Sequence, residues 1–524
     1  MKQKIAFLSC LFTVFCAVLF FRIFFLTSTN DASSVAKRQS SYLITADTSR
    51  GVIYDCNLKP LVNTGSTYKI ASTGTPEANA TLFEATGKND LSATPEIVEV
   101  DRAIYSRHLT LLECVKRYEN TIATHVVGHL DGDKNGAYGI ERAYNDYLES
   151  LSGKLKVRFF VDGLMRSLDS VQPEVESEGY NSKEGIVLTI DKNIQTIVEE
   201  EAEKYITSGA VVVCEIATGA IRASLSLPDF DPNNVAASLD DPLSPFINRA
   251  FGEHNVGSTF KLVVAALALD NGYDENYTHE CKGWVNVSGQ VFTCKNHALP
   301  KTMNMTEALE VSCNTYFINL ATELTANRLV GFAKTLRFGE YTVLAENYSS
   351  ASGYLPTLDE LKNPAELANL GFGQGKLLAT PVQIASLILA IANDGVMAYP
   401  YIVEGFADGT AIETYTAHYS PQRVMSQSTA KKLQQMMISV VENGSGTRAK
   451  PDTLSAGGKT ASAQTGRFDG ETEMVDAWFS GFYPAENPKY AIVIVNEGAD
   501  SGSKFAAPVF KNICDRLYLL EKYR

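Results

Sequence analysis

No long run of basic residues occurs in this chain, and its net charge is −14. Nucleic-acid binding through phosphate neutralisation is excluded on that ground. Gly-x-Ser-x-Gly is absent, which argues against a histidine-dependent esterase built on a nucleophile elbow. His254, close to Ser258, then reads as a loop residue. Nine cysteines in 524 residues are too few for a disulfide framework. No internal repeat and no low-complexity segment is present. Long apolar runs are scarce too, and none after residue 26 is long enough to cross a bilayer.

The one such run is N-terminal. Residues 5–21 are apolar, Arg22 interrupts them, residues 23–26 continue them, and Lys2 and Lys4 stand in front. About 20 apolar residues cross a bilayer, and an arginine near one end can snorkel. The run is long for a signal-peptide core, and no clean small-x-small site follows directly. We therefore expect a short cytoplasmic tail with an uncleaved membrane anchor over 1–28, and the remainder outside the cytoplasm. A cleaved signal peptide is the competing reading. The length leaves room for two or three domains.

Residues 28–41 are polar and read as a linker. Residues 42–185 mix short strands, turns and charged stretches. His125 and His129 have the i,i+4 spacing of a metal helix, but Gly128 lies between them and Val126 stands where a zincin needs glutamate. That segment reads as a strand end and turn. From Gly185 the pattern changes. Strands are predicted over 186–190, 210–216 and 221–227, with a helix over 191–205 capped by Asp191. Residues 306–393 are largely helical, and another helix covers 426–442. Three strands follow over 458–464, 476–483 and 490–497, and an amphipathic helix covers 504–523. Strands and helices segregate, so the fold class is α+β with an antiparallel sheet. Cys281 and Cys294 flank a predicted hairpin at 284–291 that turns at Ser288-Gly289, and His279 and His297 flank the cysteines. A hairpin disulfide, two free thiols and a loosely spaced Cys2His2 zinc site are all open there. We assign no metal and no cofactor.

Ser-x-x-Lys occurs at Ser34, Ser66, Ser258, Ser428 and Ser501, against about two by chance. Ser66–Lys69 is followed by Thr73, Gly74 and Pro76, which is loop chemistry. Ser501 follows a Gly/Asp turn, and Ser428 opens an amphipathic helix that leaves Lys431 solvated. Ser258-Thr259-Phe260-Lys261 alone leads into a wholly apolar helix over 262–269 that must be buried. A lysine one turn after a serine, held in low dielectric, can lose its proton and activate that serine. Ser312-Cys313-Asn314 and Lys459-Thr460-Ala461 follow at long separations. Together they point to serine acyl transfer without histidine.

Gly257 through Lys261, Ser312 through Asn314, and Lys459-Thr460 resemble the three motifs of penicillin-binding proteins and serine β-lactamases. Asn248-Arg249-Ala250, Gly373-Gln374-Gly375, Thr380-Pro381 with Gln383, and Ala477-Trp478-Phe479 with Gly481 extend the likeness, as do Asp191, Gln195, Pro228, Phe230, Pro232 and Asn233. Arg50-Gly51 and Gly139 with Glu141 resemble the pedestal of the class B, monofunctional members. The resemblance implies an anchor over 1–28, a non-catalytic pedestal over 29–185 and a penicillin-binding transpeptidase domain over 186–524, with an antiparallel sheet flanked by helices and a mostly helical subdomain. It implies a peptidoglycan D,D-transpeptidase that is also acylated by β-lactams. Ser258 would attack the stem peptide and Lys261 would be the base. Ser312 would relay the proton and Asn314 would orient Lys261 and the substrate amide. Lys459 and Thr460 would bind the terminal carboxylate, and the N–H groups of Ser258 and Ser462 would form the oxyanion hole. Implied partners are peptidoglycan stem peptides, the membrane and cell-wall synthesis proteins such as a glycosyltransferase. Ala461 stands where the family usually has glycine, so an added methyl is expected to crowd bulky ligands; Val256 stands where proline is common. The alternatives are an inactive scaffold that keeps the fold, or a β-lactam-hydrolysing or β-lactam-sensing relative.

Overall fold

Residues Lys2–Ser28 form one continuous helix, α1. Its 27 residues extend about 40 Å, and its large apolar side chains as far as Phe25, among them Phe7, Phe12, Phe20 and Phe24, are exposed. A helix that is apolar on every side needs apolar surroundings, which a bilayer supplies. Among the described residues it is the one helix long and apolar enough to cross a membrane. The computed structural model describes residues 2–28, 40–168, 171–294, 297–414 and 420–523, so the linker read at 28–41 lies almost wholly outside them.

The smaller of two units comprises Met1–Gly51, Asn63–Glu119 and Ser150–Ser182. It holds β1 (Ser41–Ser49), β2 (Gly65–Ser72), β3 (Glu96–Val100), β4 (Leu109–Lys116), β5 (Gly153–Phe160) and β6 (Glu174–Glu178). In one antiparallel sheet β5 lies between β1 and β6, and in the other β2 lies between β3 and β4. Ala46, Ala71, Leu112, Val157 and Phe159 form a core shared by the two sheets. Ser66 and Lys69 sit inside β2 rather than in a loop. The Thr73, Gly74 and Pro76 signals mark where the strand stops, not what precedes it.

The larger unit comprises Val52–Val62, Asn120–Glu149 and Lys183–Arg524. Val52–Tyr54 pairs in parallel with 185–187, which ties this early segment to the C-terminal body. The main elements are α2 (Lys192–Ala202), β7 (Gly209–Glu215), β8 (Ile221–Leu227), α3 (Lys261–Asp270), β9 (Trp284–Val287), β10 (Gln290–Thr293), α4 (Met305–Glu310), α5 (Asn314–Leu324), α6 (Pro381–Ala392), α7 (Gln427–Asn443), β11 (Gly457–Asp469), β12 (Thr472–Tyr483), β13 (Tyr490–Glu497) and α8 (Ala507–Lys522).

A five-stranded sheet runs in the order β8-β7-β13-β12-β11, with every pairing antiparallel. Its central strands β7 and β13 are apolar at nearly every position because both faces are covered. On one side α2 and α8 place Ile194, Val198, Phe510 and Ile513 against Val211, Val213, Ile492 and Ile494. On the other lies α6, whose twelve residues are all buried. Asp191 caps α2 by accepting the N–H groups of Asn193 and Ile194. Gln195 accepts the Ser224 N–H and donates to the Ser224 carbonyl, fastening α2 to β8. With α3, α4, α5 and α7 forming the helical part, the architecture is the α+β fold expected.

Candidate active site

Gly257–Phe260 form a 3₁₀ turn that runs directly into α3. Side chains three apart eclipse in that tighter winding, so Ser258 and Lys261 share one face. Gly257 has φ +62° and donates its N–H to the Gly373 carbonyl at 2.8 Å. A Cβ there would meet the Ala463 Cβ at 3.1 Å and the Ala461 Cβ at 3.3 Å, so a bare Cα lets the turn lie on β11. The apolar α3 is drawn into the core and carries Lys261 with it to 0% exposure. Ser258 stays half-buried and lines a cleft of about 640 Å³.

The Lys261 Nζ donates to the Ser312 carbonyl at 2.7 Å, to the Asn314 Oδ1 at 2.8 Å and to the Ser312 Oγ at 3.1 Å. The Lys459 Nζ reaches the same Ser312 Oγ at 3.1 Å and the Thr460 carbonyl at 2.9 Å. One hydroxyl therefore bridges two buried amines. Burial lowers Lys261 to about 7, partly offset by the thiols of Cys313 and Cys294. Burial, then the Lys261 charge, pushes Lys459 well below its usual range. A neutral Lys261 keeps two N–H donors for the Ser312 carbonyl and Asn314, and a lone pair for a hydroxyl proton. Ser312 adopts φ +54°; a non-glycine residue in the left-handed region is held there by its surroundings.

Strand β11 is the outer strand of its sheet, so among the described residues one of its edges has no strand neighbour to pair its backbone groups. Thr460 and Ser462 line the cleft from it. The Thr460 Oγ1 lies 2.9 Å from the Ser445 Oγ, and the Ser462 Oγ accepts the Gly502 N–H. Ala461 also lines the cleft but is only 3% exposed, and its methyl faces the bare Cα of Gly257. The crowding expected of that methyl falls on a glycine rather than on open cleft.

Sequence reasoning did not single out Glu310, Asn443, Gly444, Ser445 or Ser503, which also line the cleft. Asn443 closes α7 and Gly444 and Ser445 follow it, and nothing in that run of sequence told which surface it would meet. The resemblance had marked Gln374, which lines the cleft. Among the described residues, the Ser-x-x-Lys pairs at Ser66 and Ser428 do not line this cleft. Ser66 donates to Glu113 while Lys69 pairs with Asp47. Lys431 is exposed and pairs with Asp394. Ser34 lies outside the described residues. Ser501 does line the cleft, and its Lys504 falls in the turn Gly502–Ala506 ahead of α8. His254 is buried, with Nε2 against the Arg249 carbonyl and Nδ1 3.4 Å from Glu497. Arg249 also pairs with Glu497 at 2.7 Å. Burial would raise the Glu497 carboxyl, but contacts with His254, Ser208 and Arg249 hold it far below the usual range. Trp478 donates to the Asn255 carbonyl. These residues brace the cleft from behind. His125 lies in a short helix, Thr124–Val127, instead of a strand end, and its Nε2 is engaged with the Pro245 carbonyl. No disulfide joins Cys281 to Cys294.

Residues 209–515 match the family described as the penicillin binding protein transpeptidase domain. Stage V sporulation protein D of Bacillus subtilis is 28% identical over 411 residues, which cover 74% of this chain but 61% of that relative, under two thirds of its length. The peptidoglycan D,D-transpeptidase MrdA of Escherichia coli K12 is 26% identical over 468 residues, 82% of this chain and 70% of its own. A chain solved in a peptidoglycan synthase complex superposes with a TM-score of 0.71 at 24% identity, covering 98% of both chains; at that identity the likeness is one of fold.

Proposed function

This chain belongs to the penicillin-binding protein transpeptidase family, and from that premise we propose that it is a peptidoglycan D,D-transpeptidase working through Ser258. The observation that carries the reading is the Ser312 hydroxyl, 3.1 Å from both Lys261 and Lys459. The Lys261 lone pair takes the Ser258 proton as Oγ attacks the carbonyl of the penultimate D-alanine. The N–H groups of Ser258 and Ser462 receive the developing oxyanion. As the peptide C–N bond breaks, Ser312 passes a proton to the leaving D-alanine nitrogen and is resupplied from Lys261. The acyl group stays on Ser258 until an amine of a second stem peptide attacks it, giving a proton to Lys261, which returns it to the Ser258 Oγ as the ester C–O bond breaks. Lys459 and Thr460 bind the terminal carboxylate, whose negative charge restores the ammonium form that burial disfavours. A β-lactam enters the same sequence, and its opened ring remains on Ser258.

The apolar N-terminal helix and an extracytoplasmic substrate support a catalytic unit outside the cytoplasm, beside the machinery that polymerises the glycan. The synthase complex with a similar fold supports a cell-wall polymerase as partner. The scaffold alternative rested on Ala461, whose methyl packs toward Gly257 and is only 3% exposed. A fluorescent penicillin should label the wild-type protein and not Ser258→Ala, with the adduct mapped by mass to Ser258. Equal labelling of both proteins overturns the assignment.

A further inference from the structure

We propose that Cys281, Cys294, His297 and Cys313 form a tetrahedral zinc site that clamps the hairpin of β9 and β10 to the Ser312-Cys313-Asn314 turn. The four donor atoms lie within 4.8 Å of one another, and the three cysteines are fully buried. With Zn–S near 2.3 Å and Zn–N near 2.0–2.1 Å, tetrahedral donors stand about 3.5–3.8 Å apart. The Cys294 Sγ lies 3.7 Å from the His297 Nε2 and 3.9 Å from the Cys313 Sγ.

The surroundings suit a metal as well as the spacing does. The His297 Nδ1 is 2.9 Å from the Ala298 carbonyl. Donating there places the ring proton on Nδ1 and leaves the Nε2 lone pair facing the thiols, the arrangement metal-bound histidines adopt. The Asn314 N–H points at the Cys294 Sγ at 3.3 Å, an N–H···S contact that suits thiolate charge. The Thr315 Oγ1 lies 3.5 Å from the Cys313 Sγ. Three thiols and an imidazole, with no carboxylate, form a soft donor set that selects zinc over magnesium or calcium. His279, a ligand in the looser sequence reading, turns its ring edge to Tyr316 instead, and Cys313 takes its place. The ligands come from the strand His279–Cys281, the end of β10, the segment after it, and the turn between α4 and α5. A metal bridging these pieces adds to the bond from the Asn314 Nδ2 to the Thr293 carbonyl and to the Asn314 N–H contact with Cys294, and so fixes the hairpin more firmly against the turn in which Ser312 holds φ +54°.

The test is metal analysis of the full chain, purified in detergent without chelators and dialysed after exposure to zinc. One equivalent of zinc is expected. Cobalt exchanged into the protein should show thiolate-to-metal charge transfer and the visible bands of a tetrahedral site. Cys281→Ser and His297→Ala should weaken both. Should those variants fail to fold, zinc released from the wild-type protein by a mercurial thiol reagent, read with a zinc-binding dye, gives the same answer. Ser258→Ala should keep its zinc while losing penicillin labelling, so failure of the metal site and failure of the transpeptidase reading are distinguishable. A wild-type chain with far less than one zinc, or with Cys294 and Cys313 joined as a disulfide under the same conditions, overturns the proposal.

Discussion

Lys261 reconciles two opposed requirements. A base needs a lone pair near neutral pH, and a free lysine at pH 7 has almost none. Burial supplies it by lowering the amine to about 7. The sign follows directly: below that value the ammonium prevails and cannot take the Ser258 proton. The second-order rate of β-lactam acylation should therefore rise about tenfold per pH unit below about 7 and level off above it. Lys261→Arg keeps the charge but has no accessible lone pair, so acylation should fall by at least about 100-fold at every pH. A flat profile in the wild type, or a rapidly acylated arginine variant, would show that Lys261 acts only as a charge. Ala461 poses a steric question at the same scale. Because its methyl faces Gly257, Ala461→Gly should change acylation by bulky and small β-lactams together, by less than about threefold. It should cost about 0.5–1 kcal/mol of stability through the freer backbone. Selective acceleration of bulky compounds alone would restore the crowding idea.

Single elements set the cleft through contacts that leave little slack. Gly373 packs with φ +81° against the backbone that carries Ser258, and a Cβ there would overlap the Gly257 carbonyl. Gly373→Ala therefore has two costs, the left-handed backbone and the loss of the bond between the Gly257 N–H and the Gly373 carbonyl. Together we expect about 2–4 kcal/mol of destabilisation and a loss of acylation of at least tenfold. Denaturant melting with penicillin labelling of the folded fraction separates the two effects, and unchanged labelling would show that the turn tolerates the shift. Helix identity was legible from local signals: Asp191 caps the helix its sequence announced, and Ser426 and Thr380, not singled out as caps in the sequence, cap theirs in the same way. Strand edges were less so, because β11 and β12 run on past their apolar cores into Gln464–Asp469 and Thr472–Val475 through pairing alone.

At the scale of the whole molecule, the Asn120–Glu149 segment belongs to the larger unit although it lies far from residue 183 in sequence. Glu199 of α2 accepts the Ala123 N–H at 2.8 Å and a Gln195 amide proton at 2.9 Å. Burial, with Asp229 and Glu203 adding to it, raises that carboxyl from 4.5 to about 7. Its folded pKa is raised, so its contribution to stability is complete below the unfolded value and is lost as pH rises through about 7. The loss is up to about 3 kcal/mol. Nearby Asp229, raised to about 6, slopes the same way, and His125, lowered to about 4, slopes oppositely. Glu199→Gln isolates the one group. The variant's melting temperature should overtake the wild type's increasingly between about pH 5 and pH 8. A constant difference across that range would mean Glu199 is ionised in the folded protein.

By itself the sequence determined the apolar anchor helix, the strand and helix periods after Gly185, and the order of Ser258, Lys261, Ser312, Asn314, Lys459 and Thr460. Each of these is written in neighbouring residues, as a 3.6- or 2-residue period, a cap or a short motif. Only the tertiary structure decided that β7 pairs with β13, across nearly 300 residues, and that Ser312 sits between two lysines. It alone turned the Ala461 methyl to Gly257, brought Glu310 and Ser445 to the cleft and set Cys313 beside Cys281, Cys294 and His297. Such neighbours are chosen by how buried faces close-pack, and close packing depends on the whole set of side chains at once, not on any one stretch of chain.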